Sequence, residues 1–214
     1  MNARGLFVVL EGPEGSGKST LAGPLAECIR RAGEDPVVVR EPGGTRAGEI
    51  ARQAVLDPDH PVVSPVTELF LYLAARAELV ATVIKPALEA GRIVLSDRFS
   101  LSTDAYQMVG RGLLPELVRP ANLAAAGGLR PDLTLILDLA PEVGRARQVA
   151  AGKRLDRLDA ESLEFHRRVV AFYLAVAGPQ VRHLDGALPP DQLLQEAWNA
   201  LTALAPERFA AKAG

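Results

Sequence analysis

Apolar residues along this 214-residue chain gather into five short, nearly unbroken runs: Leu6–Leu10, Val37–Arg40, Ile93–Ser96, Leu133–Leu139 and Val181–Leu184. Such runs lack the in–out alternation of a half-exposed hairpin and read as strands of a buried parallel sheet. Longer stretches with helical spacing separate them, and this alternation is the pattern of repeated βαβ units. One helix is expected over Lys18–Ala32, with Gly33 as its C-terminal cap. Ser64-Pro65 reads as an N-cap followed by proline at the first helical position. That helix should run to about Ala90, kinked at Pro86 and stopped by Gly91. Further helices are expected at Leu114–Ala126, Pro141–Ala151, Glu161–Ala177 and Asp191–Leu204. Residues 206–214 read as a frayed tail with little to pack. No internal repeat is visible.

Composition narrows the class. Apolar residues make up 48% and charged residues 23%, which is globular, and the length suits a single domain spanning residues 1–214. Basic and acidic residues nearly balance at 24 against 26, so a broad electrostatic grip on nucleic acid is not expected. An anionic ligand must therefore be held by a local basic cluster. Cys28 is the single cysteine, which excludes an internal disulfide framework. His60, His166 and His183 are scattered, without ligand-spaced companions, so no metal or triad role is expected of them. No run approaches the ~18 apolar residues of a membrane span. The first run stops at Glu11 and is too short for a signal-peptide core. The expectation is a soluble, cytoplasmic α/β protein.

The sharpest chemical signal is Gly12-Pro13-Glu14-Gly15-Ser16-Gly17-Lys18-Ser19. Two glycines flank four residues and Lys-Ser follows, between an apolar strand and a helix, which is the P-loop pattern in its proper context. Glycines let successive backbone N–H groups curl around phosphate oxygens, and the helix adds its positive end. Lys18 would reach the β- and γ-phosphates and Ser19 would ligate Mg²⁺. The expected ATP-binding set is Gly12, Pro13, Glu14, Gly15, Ser16, Gly17, Lys18, Ser19 and Thr20. A GTPase switch is improbable: no aspartate has glycine three residues later, and no Asn-Lys dipeptide occurs.

Several further groups point to one small substrate. Glu41-Pro42-Gly43-Gly44-Thr45 follows the second strand, where open parallel sheets place ligands. Tyr72 and Arg76 are four apart on one helix face, a ring and a guanidinium suited to stacking a base and bonding its edge. Asp97-Arg98-Phe99 closes the third strand, and Ser102 to Gln107 follows. In this order the motifs resemble the thymidylate kinases, P-loop enzymes that phosphorylate dTMP with ATP. The likeness also takes in Val83–Leu88, Pro131–Thr134, Leu137-Asp138 and Pro141-Glu142, and spans roughly Leu6 to Leu204.

The resemblance implies a three-layer α/β/α sandwich with a five-stranded parallel sheet, a short basic lid at about 145–159, and a homodimer. It implies that Glu14 meets the deoxyribose 3′-hydroxyl, Tyr72 stacks on thymine and Arg76 bonds its exocyclic oxygen. Arg52 and Arg98 would hold the monophosphate near Pro42, and Thr103 and Gln107 would contact the base edge. Tyr106 would crowd the sugar 2′ position, and Asp97 would share Mg²⁺ with Ser19. The P-loop has no arginine between Gly12 and Lys18, so the likeness is to the members whose catalytic arginine comes from the lid. The lid carries Arg145, Arg147, Lys153, Arg154 and Arg157; the choice lies among the last three, with Arg154 taken as catalytic beside Lys18, Asp97 and Arg98. Two other readings stay open: a kinase of another small nucleotide or nucleoside, and a nucleotide-binding regulator without turnover. Turnover of monophosphates separates all three.

Overall fold

The computed structural model describes residues 4–59, 64–152 and 154–210. His60 and Lys153 lie outside them. The five apolar runs form β1 (Leu6–Glu11), β2 (Val37–Arg40), β3 (Ile93–Asp97), β4 (Leu133–Asp138) and β5 (Val181–Asp185). All pair in parallel in the order β2-β3-β1-β4-β5. Central β1, β3 and β4 are buried on both faces, as continuous apolar runs require. β2 and β5 are edges and carry exposed positions, so the expectation of full burial holds for the centre only.

Alternate residues of β1 feed two cores. Val8 and Leu10 pack with Leu25 and Ile29 of α1 (Lys18–Arg31), while Phe7 and Val9 pack with Leu79, Val80 and Ile84 on the other face. Helix α2 (Arg46–Leu56), which the sequence reading left out, follows β2, and the Thr45 hydroxyl caps it by accepting from Gly48 N at 2.9 Å. Helix α3 (Pro65–Leu79) starts at Ser64, whose hydroxyl accepts from Thr67 N. It runs through a π-helical segment, Val80–Ile84, into α4 (Lys85–Glu89). Pro86 has no N–H to donate and its ring crowds the preceding turn, so the wider π turn stands where a kink was expected.

Beyond β3 come α5 (Ser100–Thr103), a second π-helical segment (Asp104–Gly110) and α6 (Pro115–Ala125). Helix α7 (Pro141–Ala150) takes in the first residues of the segment expected to form the lid, about 145–159, and α8 (Leu163–Ala175) follows that segment. Helix α9 (Pro190–Leu204) packs with α1 on one face of the sheet, completing three layers. The expected frayed tail is corrected in its first half: Pro206–Ala210 forms α10. Phe209 stacks edge-on against Trp198, and Arg208 donates to Arg4 O, Gly91 O and Glu34.

The register aligns Leu10 with Asp97 and Asp97 with Arg40. The loops after β1, β2 and β3 therefore leave the sheet at one level, at its carboxyl edge. The strand order reverses there, which is where open α/β sheets place their ligands.

Candidate active site

A cleft of about 780 Å³ opens along that edge. At one end lies the phosphate loop. Gly12 has φ 133°, and a Cβ there would stand 2.5 Å from Leu137 O, so only glycine fits. A Cβ on Gly15 would lie 2.4 Å from Gly144 O, and one on Gly144 2.3 Å from Glu14 O. The loop thus rests backbone to backbone on α7. Lys18 folds back over the loop, donating to Gly12 O at 2.9 Å, Pro13 O at 2.7 Å and Ser16 Oγ at 3.2 Å. Burial, with Arg98 nearby, pushes its ammonium down to about 8. Arg147 of α7 reaches Gly15 O and Gly186 O, and Leu188, Pro190 and Leu193 continue this wall.

Ser19 and Asp97 meet as expected, with Ser19 Oγ donating to Asp97 Oδ2 at 2.6 Å. Among the described residues no cluster of three His, Cys, Asp or Glu side chains could hold a metal alone. A hydroxyl and a carboxylate beside a phosphate loop instead suit Mg²⁺, which takes one or two protein oxygens and completes its shell with phosphate and water. The residues present fit it.

Arg98 stands between the two ends of the cleft. Its backbone has φ 76°, which is strained for a non-glycine residue. Two bonds hold it there: Arg98 N donates to Leu10 O, and Ser96 Oγ donates to Arg98 O at 2.7 Å. The guanidinium donates to Gly12 O, Ser102 Oγ and Glu14 Oε1, the last at 2.9 Å, and lies over the Tyr106 ring. Glu14 Oε2 accepts from the Tyr106 hydroxyl at 2.7 Å and lies 3.6 Å from His166 Nδ1. Burial alone would raise the Glu14 carboxyl, but Arg98, His166, Lys18 and Tyr106 outweigh it and hold it far below its usual range. Burial alone would lower His166; Glu14 beside it raises it instead.

The far end of the cleft is lined by Pro42, Arg52, Tyr72, Arg76, Thr103, Tyr106 and Gln107. The structure thus brings together every substrate-facing residue expected from the sequence. Arg52 donates to Pro42 O at 2.9 Å. The Tyr72 hydroxyl is buried and has no partner among the described residues, and burial pushes its phenol far up. Arg76 is 2% exposed and donates to Glu41 at 2.7 Å, Thr103 at 2.7 Å, Asn122 at 2.5 Å and Phe99 O at 3.0 Å. Arg76 Nη2 also lies 2.6 Å from Glu41 Oε2, an ion-pair contact. Hydrogen bonds thus occupy four of its five N–H groups. Arg76 therefore anchors the pocket wall as well as facing it.

Arg154 departs from expectation. It lies on the surface, paired with Asp59 at 2.5 Å, and does not line the cleft. Arg154 and Asp59 are both exposed and pair at the surface, whereas α7 delivers Arg147 to the phosphate loop. Sequence reasoning also missed buried partners. Glu11 is fully buried and accepts from Phe99 N, Ser102 N, Ser102 Oγ and Tyr173, fixing the turn that carries Arg98. Glu41, Asn122 and Glu68 play similar parts. His166, dismissed as scattered, faces Glu14.

A P-loop on a five-stranded parallel sheet, with a second pocket in line with it, defines an α/β P-loop protein of the nucleotide-kinase class. The family model for thymidylate kinase matches residues 10–197. The thymidylate kinase of Thermomicrobium roseum is 48% identical over 199 residues, covering 92% of this chain and 94% of that protein. That of Nitratidesulfovibrio vulgaris strain DP4 is 45% identical over 200 residues, covering 89% of each. That of Pseudomonas fluorescens strain Pf0-1 is 53% identical over 165 residues, covering 77% and 78%. The chain belongs to the thymidylate kinase family.

Proposed function

We propose that this chain transfers the γ-phosphoryl group of ATP to dTMP, giving ADP and dTDP. The observation that carries the reading is Arg98, which bonds Gly12 O and Glu14 of the phosphate loop, lies over the Tyr106 ring and lines the same cleft as Tyr72, Thr103 and Gln107. An oxygen of the dTMP phosphate attacks the γ-phosphorus, and the bond to the β,γ-bridging oxygen breaks as ADP leaves. That oxygen is already ionised, so no general base is needed. Lys18 and the loop amides hold the ATP phosphates. Arg52 and Arg98 aim the acceptor phosphate, and Arg147 borders the ATP end. Glu14 would meet the 3′-hydroxyl, and Tyr106, which donates to Glu14, would crowd the position of a ribose 2′-hydroxyl. Ser19 and Asp97 would hold Mg²⁺, whose chemistry when bound is to neutralise charge on the phosphates. Arg154 reaches the transferred group only by leaving Asp59 as the lid, about 145–159, closes.

Phosphoryl transfer of this kind is mostly positioning and charge neutralisation, and the site supplies both. The alternative of a silent nucleotide-binding regulator is disfavoured by the intact set of Lys18, Asp97 and Arg98. Among the described residues no helix is long and apolar enough to cross a membrane. A cytoplasmic location and a homodimer belong to the same proposal. Helices α3 and α6 pack together and leave Val66, Phe70, Leu117 and Leu123 exposed, a surface a second copy would cover.

The test is ADP release with ATP and Mg²⁺ against dTMP, dUMP, UMP, dCMP, dGMP and AMP. Strong preference for dTMP supports the reading. Preference for another monophosphate overturns the substrate pocket, and ATP binding without any turnover overturns the enzyme.

The Lys18 ammonium also sets a pH dependence. Phosphate binding needs it protonated, so kcat/KM for ATP is expected to fall as pH rises through about 8. At saturating ATP the bound phosphates favour the charged form, and kcat should stay level over the same window. The same depression means the folded chain releases this proton before the unfolded chain does. This residue's effect on stability is therefore unfavourable at neutral pH and improves above about pH 8. A kcat/KM profile level across this window would contradict the assignment.

A further inference from the structure

Gln107 lies on the second π-helical segment, and its Nε2 donates to Glu68 Oε1 at 3.0 Å. A carboxylate only accepts hydrogen bonds, so the amide must turn its NH₂ toward Glu68 and its carbonyl oxygen away. Gln107 lines the cleft, and among the described residues nothing donates to its Oε1. Glu68, in the first turn of α3, is 1% exposed and lies behind the cleft wall. Arg111 fixes it from the far side, donating from Nε at 3.1 Å and from a terminal nitrogen at 3.0 Å, and Arg157 stands 3.9 Å away. The carboxylate is thus held in one place by groups that do not line the cleft.

We infer that Glu68 is a positioning residue that sets the hydrogen-bond polarity of the base edge. By pinning the Gln107 amide with its oxygen toward the cleft, it makes the site an acceptor at that point. Thymine and uracil present N3–H, a donor, and are matched. Cytosine presents a bare N3, an acceptor, and two acceptors face each other without a proton between them. Buried polar groups left unpaired in this way are the strongest source of substrate rejection. The inference rests on the pyrimidine monophosphate reading above and assigns its discrimination against cytidylates to a residue outside the pocket.

The test is Glu68→Gln in the full-length chain, with kcat/KM measured for dTMP, dUMP and dCMP at saturating ATP. A glutamine at this position can offer either an oxygen or an NH₂, so Gln107 is free to turn over. The dTMP:dCMP ratio is expected to fall roughly tenfold or more. The dTMP:dUMP ratio should not move, because both bases carry N3–H, and KM for ATP should stay within about twofold. A structural role alone would lower all three substrates in parallel, and that outcome overturns the inference. Gln107→Leu gives the same readout without touching the buried charges, should Glu68→Gln fail to fold. It should lower dTMP and dUMP together and spare dCMP, and an equal loss for all three again overturns the inference. If the unaltered chain turns over none of the three, the functional reading falls and takes this one with it. Turnover of dTMP with unmoved ratios removes this inference alone.

Discussion

Arg98→Ala is expected to lower kcat/KM for dTMP on the order of 10³-fold, most of it in kcat. The side chain touches the phosphate loop through Gly12 O and the Glu14 carboxylate, and α5 through Ser102. It lies between the two halves of the cleft, where, on the proposed function, charge would build as the phosphoryl group moves. Alanine removes that charge and leaves the φ of 76° in place, so the backbone strain remains with less to hold it. Glu14 also loses its main counter-charge and should titrate closer to the ordinary carboxylate range. Arg98→Lys separates charge from geometry: it keeps a cation but cannot bond three partners in a fork, and should fall between alanine and arginine. Steady-state kinetics with both substrates varied reads these effects. An alanine variant within tenfold of the parent rejects the placement of Arg98 at the transferred group.

The second large effect concerns folding as much as binding. Arg76→Ala should cost about 3–5 kcal/mol of stability, because it strips one partner from a buried ion pair. For a chain of this length that is a fall of roughly 10 °C in Tm. Glu41 is the group left exposed to the penalty: among the described residues its Oε1 has no partner, and Arg76 supplies one bond and an ion-pair contact to Oε2. Thr103 and Asn122 lose a donor as well. KM for dTMP should rise steeply, with KM for ATP near normal. The double variant Arg76→Met with Glu41→Leu distinguishes the two roles. Replacing both charges with apolar groups of similar size should recover much of the Tm, since no unpaired charge remains, yet leave dTMP recognition impaired. Recovery of both together would mean that Arg76 serves the fold alone.

The fold was legible wherever local pattern suffices. Five continuous apolar runs place five strands almost residue for residue, and glycine, proline and serine mark most helix ends. Helix α2 escaped because Gly48 weakens a short amphipathic pattern that only Thr45 and packing rescue. The helical stretch from Ser100 to Gly110 reads as a motif rather than an element, and its π geometry has no sequence signature. Among the residues facing the cleft, the phosphate loop and the Tyr72–Arg76 pair were legible from residue type and spacing, and Arg52, Thr103, Tyr106 and Gln107 through the resemblance to the thymidylate kinases. Their supports were not. Glu41 meets Arg76 across 35 positions and Glu11 meets Tyr173 across 162, and nothing local announces either pairing. The lid shows the same limit. A basic cluster can be counted along the chain, but α7 decides that Arg147 faces the phosphate loop while Arg154 turns to Asp59.

The bare contact between Gly15 and Gly144 has a mechanical consequence. Elsewhere side chains separate packed elements and can yield by rotating about their bonds. Here two backbones touch with nothing between them, so the joint has no slack. The phosphate loop and α7 share a single bearing surface. Neither can move toward the other without backbone meeting backbone, and the clearance of that joint is set by two absent methyl groups.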